Sequence, residues 1–217
     1  DNYLGKVNKA KRQFFKAIAL AVPYGAGGYK LQFELNVPLE QAEKVVKDYL
    51  AAYPALHTWM KESYKKVLNQ GFIQTEAGRI RHFPRAQEIY SIYGDAILDD
   101  LVLWKKYHET PGLYAQAKKD RRELKNYLNN GCNVQIQGLA ASILSRASIK
   151  LAKEITQNFK DSYISIICHD ELVVHCKKED SDKISILIKD IMENIWKLSV
   201  KLKTEPIKGL TYADTKG

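Results

Sequence analysis

An acidic pair lies between two apolar, β-branched runs in the C-terminal third of this sequence. Two strands joined by a tight turn are predicted from SYISIICHDELVVHC, with the carboxylates of Asp170 and Glu171 at the tip. Carboxylates on a rigid strand end can bind the two divalent cations that clamp the attacking and leaving oxygens in phosphoryl transfer. Asp is also frequent in ordinary turns, so a hairpin without chemistry is the competing interpretation.

Thiol and imidazole side chains flank the acidic pair, and their types suit a tetrahedral zinc site. They are Cys168, His169, His175 and Cys176. Neighbouring strand residues point to opposite faces, so all four would converge only around a bulge. Zinc is therefore an alternative that strand geometry disfavours.

A second candidate site lies on the predicted N-terminal helix, residues 5–22. Arg12, Lys16, Leu20 and Tyr24 recur every four residues and should follow one helix face, because each step of four advances about 400°. Such a face suits a nucleoside triphosphate, with its phosphates on Arg12 and Lys16, its sugar near Leu20 and its base near Tyr24. The competing interpretation is a solvated basic face with Leu20 in the core.

The composition agrees with a polyanionic partner without requiring one. Lys and Arg number 34 against 25 Asp and Glu, which gives a net charge of +9. Such an excess is typical of proteins that bind nucleic acid.

The hydrophobic share of 45% is enough for a core and argues against disorder. The three cysteines are too few for a disulfide scaffold, and no apolar run approaches a membrane span, so we expect an intracellular protein.

The N-terminal part of the chain is predicted to be helical. Pro23 should bend or end the first helix, and a glycine-rich loop follows it. A helix is predicted through about residue 52, and another begins at Pro54 with Gly71 as its C-cap.

Strands enter from Phe72 onward. FIQTEAGRIRHFP predicts two short strands around a turn at Ala77-Gly78. The elements predicted beyond it are a charged helical region at 86–130 with a break at Pro111-Gly112, a long helix at 134–158, a helix at about 181–196, and a half-exposed strand in LSVKLKTE.

Four motifs, in chain order, resemble those of family A DNA polymerases, the DNA polymerase I family. Motif B, Arg-x3-Lys-x7-Tyr-Gly, is matched by Arg12, Lys16, Tyr24 and Gly25, and motif C by His169-Asp170-Glu171. The Thr-x-x-Gly-Arg-x-Arg-x-x-Pro strand pair is matched by Thr75, Gly78, Arg79, Arg81 and Pro84. The palm-helix motif is matched by Asn133, Gln137, Gly138, Ala140 and Ala141. The ending, PIKGLTYADTKG, is similar to the C-terminal strand and tail of that family.

The resemblance implies a role for each matched residue. Arg12 and Lys16 would bind the incoming deoxynucleoside triphosphate, with Lys16 donating a proton to pyrophosphate and Leu20 and Tyr24 lining the nucleotide pocket. Asp170 would bind one of two Mg²⁺ ions, and Glu171 would support it. The residues expected to contact primer–template DNA are Arg79, Arg81, Asn133, Gln137 and, at the primer end, His169.

The resemblance also implies an α+β fold: the right-hand polymerase fold without its thumb and motif A strand. Residues 1–71 would form helical fingers, with the motif B helix at 5–24. Residues 72–217 would form a palm with an antiparallel β-hairpin and packed helices. The stretch at 86–130 is longer than the family pattern, and we interpret it as a helical insertion.

The largest departure from the family is the lack of motif A, an Asp followed by aromatic-Ser-x-x-Glu. Without it, the second metal-bridging aspartate is not in this sequence, and Asp95, Asp99 and Asp100 are better explained as a solvated helix face. Either the sequence is a fragment, or a companion chain of a split polymerase supplies the motif. We therefore expect that these 217 residues alone do not extend a primer.

Smaller departures affect the nucleotide and DNA contacts. Leu20 replaces a Phe or Tyr that influences how the family treats sugars lacking a 3′-hydroxyl, and Asn129 replaces an Arg that precedes the palm-helix motif. Pro23 is unusual inside the motif B helix.

Two other functions compete with DNA synthesis by this chain. One is a non-catalytic DNA-binding subunit, and the other is a single-subunit RNA polymerase of the phage type, which has a similar motif B. Glu171 after His-Asp and the Gln137-Gly138 segment favour DNA synthesis. The Lys- and Ile-rich composition indicates a phage enzyme in a bacterial cytoplasm or an organellar enzyme.

Overall fold

A computed structural model describes residues 9–215, with side chains from Lys11 onward. The chain divides into two compact units between Ile136 and Gln137. The predicted boundary between residues 71 and 72 was drawn from family resemblance rather than compactness, and it stays a prediction. So does the interpretation of 86–130 as an insertion.

Four helices open the first unit because apolar side chains recur along one face of each. They are α1 (Lys9–Ala21), α2 (Gly28–Leu35), α3 (Leu39–Ala52) and α4 (Pro54–Gln70). Ile18 and Val22 pack against Leu31 of α2 and Ala42 of α3 in a small core. The helix predicted from residue 5 is confirmed from Lys9 onward; residues 5–8 lie outside the described residues.

Proline and glycine end the helices where the sequence predicted. α1 stops at Ala21 and gives way to a 3-10 turn, Val22–Tyr24, that contains Pro23. Gly71 closes α4 at φ 70°, a left-handed conformation that glycine adopts without steric cost.

A short antiparallel hairpin follows, with β1 (Phe72–Gln74) pairing with β2 (Ile80–His82). Its turn is built by Thr75, whose N–H donates to the Arg79 carbonyl at 2.8 Å and whose hydroxyl accepts from the Arg79 N–H at 3.1 Å. Gly78 completes the turn at φ 86°. The strands and turn predicted from this motif are confirmed.

Three helices and a 3-10 turn complete the first unit. α5 (Ala86–Tyr93), a 3-10 turn (Gly94–Leu98) and α6 (Asp100–Tyr107) precede α7 (Pro111–Asn158). Buried residues of this region, including Ile89, Ile97 and Leu103, share a core with Leu124 of α7.

The helix predicted at 134–158 is confirmed with its end at Asn158, but its predicted start is wrong, because α7 runs unbroken for 48 residues and crosses the boundary between the units. The predicted break at Pro111-Gly112 is confirmed, because α6 ends at Tyr107 and α7 begins at Pro111. Gly131, inside α7, serves close packing: a Cβ there would lie 2.6 Å from Cγ2 of Val67. The helix therefore continues where the sequence predicted a connection.

Charged and phenolic groups fasten α5 to α7. Asp120, buried on α7, accepts hydrogen bonds from Arg85 at 3.2 Å, from Tyr93 at 3.0 Å and from Gln116 at 3.0 Å. Arg85 also pairs with Glu123 one turn further along α7. Such a network is favourable only because the buried carboxylate has several donors.

The second unit holds a hairpin and a helix against the C-terminal part of α7. β3 (Tyr163–Cys168) pairs antiparallel with β4 (Glu171–His175), and α8 (Ser181–Asn194) follows. Leu151 and Ile155 of α7 pack with Ile191 of α8, and the inner residues of the strands border this core. The predicted hairpin is confirmed, as is the predicted helix, which ends two residues earlier than expected.

The strand predicted in LSVKLKTE is wrong, and so is the C-terminal strand implied by the resemblance: within residues 9–215 no strand follows β4. Residues 201–205 do alternate between exposed and half-buried, as the pattern predicted. The Thr204 N–H, however, donates to the Glu193 side chain at 2.8 Å rather than to a neighbouring strand. A strand requires a backbone partner, which alternation alone does not supply.

Helices dominate, with small antiparallel sheets, so the predicted α+β class is confirmed. In the part of the chain that the structure describes, none of the helices combines the length and apolar character needed to cross a bilayer.

Candidate functional site

The cationic face of α1 is open to solvent. Arg12 and Lys16 are exposed, and Leu20 is 53% exposed, whereas Ile18 and Val22 on the opposite face are buried. The alternative that placed Leu20 in the core is therefore wrong. Neither Arg12 nor Lys16 forms an ion pair with any side chain between residues 11 and 215. Both cations are available to an anionic ligand along the helix.

Tyr24 lies beyond the end of α1 rather than on its face. Pro23 ends the α-helix two residues earlier, and the tighter 3-10 turn carries Tyr24 out of the four-residue register. Gly25 follows at φ 80°, and a Cβ there would lie 2.0 Å from Oδ1 of Asn129 on α7. Asn129, expected only as a substituted DNA contact, thus packs directly on the backbone next to Tyr24.

The acidic residues stand at the tip of the β3–β4 hairpin. Cys168 pairs with Glu171, which leaves His169 and Asp170 as a two-residue loop. His169 has φ 52°, a conformation that costs a non-glycine residue on the order of 1 kcal/mol and that concentrates at functional sites. His169, Asp170 and Glu171 are all exposed, so the carboxylates can reach ions and ligands in solvent.

Glu171 is also held from the C-terminal tail, a contact that the sequence did not predict. The Tyr212 hydroxyl donates to Oε2 of Glu171 at 3.1 Å. The two residues are 41 apart in the chain, and no spacing rule connects them.

The hairpin register rules out the proposed zinc set. Cys168 pairs with Glu171 near the loop, whereas His175 pairs with Tyr163 at the far end. Five residues of strand separate Cys168 from Tyr163, about 16 Å at 3.3 Å per residue, so the four side chains cannot share one ion. Across the described residues, no three His, Cys, Asp or Glu side chains cluster closely enough to form a metal site.

The hairpin tip does fit a partial Mg²⁺ site. Mg²⁺ in phosphoryl-transfer enzymes is held by one or two carboxylates, with water and substrate phosphates completing the shell. Asp170 and the adjacent Glu171 supply oxygen ligands of that kind at an exposed turn.

Asp95, Asp99 and Asp100 have structural roles instead. Asp95 accepts from the Tyr90 hydroxyl at 2.6 Å, Asp99 caps α6 by accepting from the Leu101 and Val102 N–H groups, and Asp100 pairs with Arg121 at 2.9 Å. They are exposed, as expected, and engaged in holding their own region together.

The residues predicted to bind DNA lie on the β1–β2 hairpin, on α7 and, for His169, in the loop between β3 and β4. Arg79 and Arg81 are exposed on the β1–β2 hairpin, with no ion pair to any other described residue. Asn133 and Gln137 follow one another by one turn on α7, and Gln137 is exposed. Asn133 is half-buried, and its Oδ1 is buried without a hydrogen-bond partner among the described residues.

The candidate residues therefore form two sets, one in each unit. The first unit carries Arg12, Lys16, Leu20, Tyr24, Arg79, Arg81 and Asn133, and the second carries Gln137, His169, Asp170 and Glu171.

Comparison with known proteins gives a match along nearly the whole chain. Residues 2–214 match the family model described as DNA polymerase family A. The thermostable DNA polymerase I of Thermus thermophilus is 25% identical over 199 residues, which cover 92% of this chain and 20% of that protein. DNA polymerase I of Lactococcus lactis subsp. cremoris is 26% identical over 206 residues, 94% of this chain and 20% of that protein. The chain thus spans about a fifth of the length of these curated relatives.

A solved structure shares the fold. It is the POL domain of Pol1 from M. smegmatis in complex with DNA primer-template and dNTP, matched with a TM-score of 0.71 at 22% identity. The match covers 92% of this chain and 30% of that chain. At this identity the likeness supports the α+β architecture alone.

Proposed function

Because this chain belongs to DNA polymerase family A, we propose that it supplies the nucleotide-binding helix and one metal-binding carboxylate for template-directed DNA synthesis. One observation carries the proposal most directly. Arg12 and Lys16 lie exposed on one face of α1 with no ion pair to any described side chain, in the order that a triphosphate requires. We assign α1 to the fingers and the β3–β4 hairpin to the palm.

Each basic residue would handle the triphosphate differently. The planar guanidinium of Arg12 can grip a phosphate through two parallel N–H bonds, whereas the Lys16 ammonium acts as a point charge that can also give up a proton. We propose that Lys16 donates that proton to the leaving pyrophosphate. Leu20 faces solvent on the same side of α1 and would meet the sugar, and Tyr24 would border the base pair.

The acidic residues of the β3–β4 hairpin would act at the metal site. Asp170 would bind Mg²⁺, and Glu171 would support it at the neighbouring position. When bound, Mg²⁺ supplies positive charge that stabilises the attacking and leaving oxygens of an in-line displacement. His169, strained at the same turn, would contact the primer end.

Duplex contacts would position the substrate without reading its sequence. Arg79 and Arg81 can neutralise backbone phosphates, which supply affinity and no base information. Asn133 and Gln137 would reach the minor groove, where the pattern of acceptors is nearly the same for every base pair. The proposed partners are primer–template DNA and deoxynucleoside triphosphates.

We further propose that the second metal-bridging carboxylate comes from polypeptide outside these 217 residues, either an adjoining segment or a companion chain. The support is that no Asp-aromatic-Ser-x-x-Glu stretch occurs in the sequence. Two-metal phosphoryl transfer needs carboxylates on both ions, so one acidic hairpin is insufficient.

A primer-extension assay tests both parts of the proposal. With labelled primer–template, Mg²⁺ and all four deoxynucleotides, the chain alone should leave the primer unextended. Adding a polypeptide that contains a motif A segment should restore extension, and Asp170→Ala should abolish it while leaving DNA affinity within about twofold. Extension by the chain alone would refute the need for an external carboxylate.

The same assay separates catalysis from simple DNA binding. If the restored assembly synthesises DNA equally well with Asp170 and with Asp170→Ala, this chain serves as a non-catalytic DNA-binding subunit. Use of ribonucleotides in preference to deoxynucleotides would instead favour an RNA polymerase, which the family match does not support.

A further inference from the structure

We propose that Tyr212 is a positioning residue that holds the Glu171 carboxylate at the acidic tip of the β3–β4 hairpin. This inference rests on the proposed function for the role of that tip. The Tyr212 hydroxyl donates to Oε2 of Glu171 at 3.1 Å, and this bond joins the C-terminal tail to the first residue of β4.

The tail is folded so as to present Tyr212. The Thr211 N–H and hydroxyl both donate to Oδ2 of Asp214, at 2.7 and 2.9 Å, and the Thr215 hydroxyl donates to the Tyr212 carbonyl at 2.7 Å. Gly209 permits the turn to close, since a Cβ there would lie 2.5 Å from Cβ of Asp214. The hydrogen bonds from the Thr211 N–H and hydroxyl hold the pKa of the Asp214 carboxyl below its usual range. The turn therefore fixes the backbone of Tyr212 before the hydroxyl reaches Glu171.

Two further contacts fasten the approach to this turn. The Thr204 N–H donates to Oε1 of Glu193 at 2.8 Å, and the Lys208 ammonium pairs with the Asp182 carboxylate; both acids lie on α8. Within the described residues this segment belongs to no sheet, so side-chain contacts do the fastening. From Thr204 to Thr215 the chain is a strap between α8 and the acidic turn.

The hydroxyl affects Glu171 and not the reacting atoms. A phenol donates one hydrogen bond, which restricts the rotamers of the accepting carboxylate without adding a positive charge. Glu171 follows Asp170 directly, so the direction of one carboxylate influences the space open to an ion at the other. The strap thereby sets the geometry of a site to which it contributes no ligand.

Removal of a single hydroxyl tests the inference. In the full chain, Tyr212→Phe should weaken Mn²⁺ binding, measured by electron paramagnetic resonance titration, by roughly three- to tenfold, the range for losing one charge-assisted hydrogen bond at a solvent-exposed site. Tyr163→Phe is the matched control, because Tyr163 lies on the same hairpin and stacks on His175, and its hydroxyl forms no hydrogen bond with any described residue. Its Mn²⁺ affinity should equal that of the unchanged chain.

A double-mutant cycle shows whether Tyr212 acts through Glu171. Tyr212→Phe should lower Mn²⁺ affinity much less in a Glu171→Ala background than in the unchanged chain, because the acceptor of its hydrogen bond is gone. Additive effects, or a Tyr212→Phe chain that matches the Tyr163→Phe control, would overturn the inference.

Amide hydrogen exchange keeps this outcome distinct from failure of the proposed function. If the unchanged chain and Asp170→Ala bind Mn²⁺ equally, the proposed metal role of the hairpin fails. The Tyr212 link is then judged by exchange alone: residues 168–172 and 209–215 should exchange several times faster in Tyr212→Phe and at unchanged rates in Tyr163→Phe. Unchanged exchange in Tyr212→Phe would overturn the positioning role.

Discussion

Leu20 occupies the exposed face of α1 between the cations and Tyr24, with 53% of its surface accessible. The family resemblance places an aromatic residue there, one that influences the treatment of sugars lacking a 3′-hydroxyl. Leu20→Tyr fits the open position and offers a hydroxyl near the proposed sugar site. We therefore expect the assembled enzyme with Leu20→Tyr to incorporate dideoxynucleotides roughly tenfold better relative to deoxynucleotides, which corresponds to about 1.4 kcal/mol.

Single-nucleotide incorporation with each substrate type measures this ratio directly. Leu20→Met is the control, since it keeps an apolar side chain of similar volume and should leave the ratio unchanged. Equal ratios for Leu20 and Leu20→Tyr would contradict the prediction.

Both the backbone conformation at Gly25 and the nearby Asn129 side chain favour glycine at this position. Its φ of 80° is strained for any residue with a Cβ, and that atom would lie 2.0 Å from Oδ1 of Asn129. We expect Gly25→Ala to lower the free energy of unfolding by about 2 kcal/mol or more, from the left-handed strain and the overpacking together. Urea denaturation measures the change.

Two further variants separate the contributions of left-handed strain and of overpacking to this loss of stability. Gly27→Ala, where nothing lies within 4 Å of the added methyl and φ is negative, should cost about 1 kcal/mol or less, the effect of replacing a glycine N-cap. Adding Asn129→Ala to Gly25→Ala should recover the part due to overpacking and leave the part due to φ. A Gly25→Ala protein as stable as Gly27→Ala would contradict both the strain at φ 80° and the overpacking against Asn129.

At the level of elements, the attachment of α5 to α7 depends on Asp120. Burial raises the pKa of Asp120, but hydrogen bonds from Gln116, Tyr93 and Arg85 outweigh it and hold the pKa below the ordinary 3.8. A depressed pKa in the folded state means that the stability it contributes is present above about pH 4 and is lost as the pH falls. Asp120→Asn should therefore be less stable at pH 7, by about 1–3 kcal/mol, and less sensitive to acid below pH 4.

Urea denaturation at pH 7 and between pH 2.5 and 4.5 tests this prediction. Asp95→Asn is the comparison, because its bond to Tyr90 is exposed and should contribute less than about 1 kcal/mol. Equal losses in the two variants at pH 7 would contradict a special role for the buried acid.

Elements with local signals were predictable, and those with distant partners were not. Pro23 and Gly71 mark helix ends through their own backbone restrictions, and the β3–β4 hairpin follows from alternation around a polar turn. The strand predicted at 198–205 failed because pairing depends on an element elsewhere in the chain. Gly131 lies where the sequence predicted a connection between two helices, but in the structure it allows Val67 of α4 to pack closely against α7.

For the whole molecule, the order of motifs predicted both the family and the α+β class; the family match confirms the family, and the structure confirms the class. The exposed cations of α1 and the acids of the hairpin could be found from spacing and residue type. The contacts that Asn129 and Tyr212 make could not, because each joins residues that lie far apart in the chain.

The length of α7 has a consequence for dissecting this protein. At 1.5 Å per residue its 48 residues extend about 72 Å, and the boundary between the compact units falls within it. Truncation at Ile136 would leave each product with a severed helix end whose backbone groups had been satisfied. Limited proteolysis should therefore spare this boundary and cut in exposed connections first. Neither half should fold autonomously when it is expressed alone.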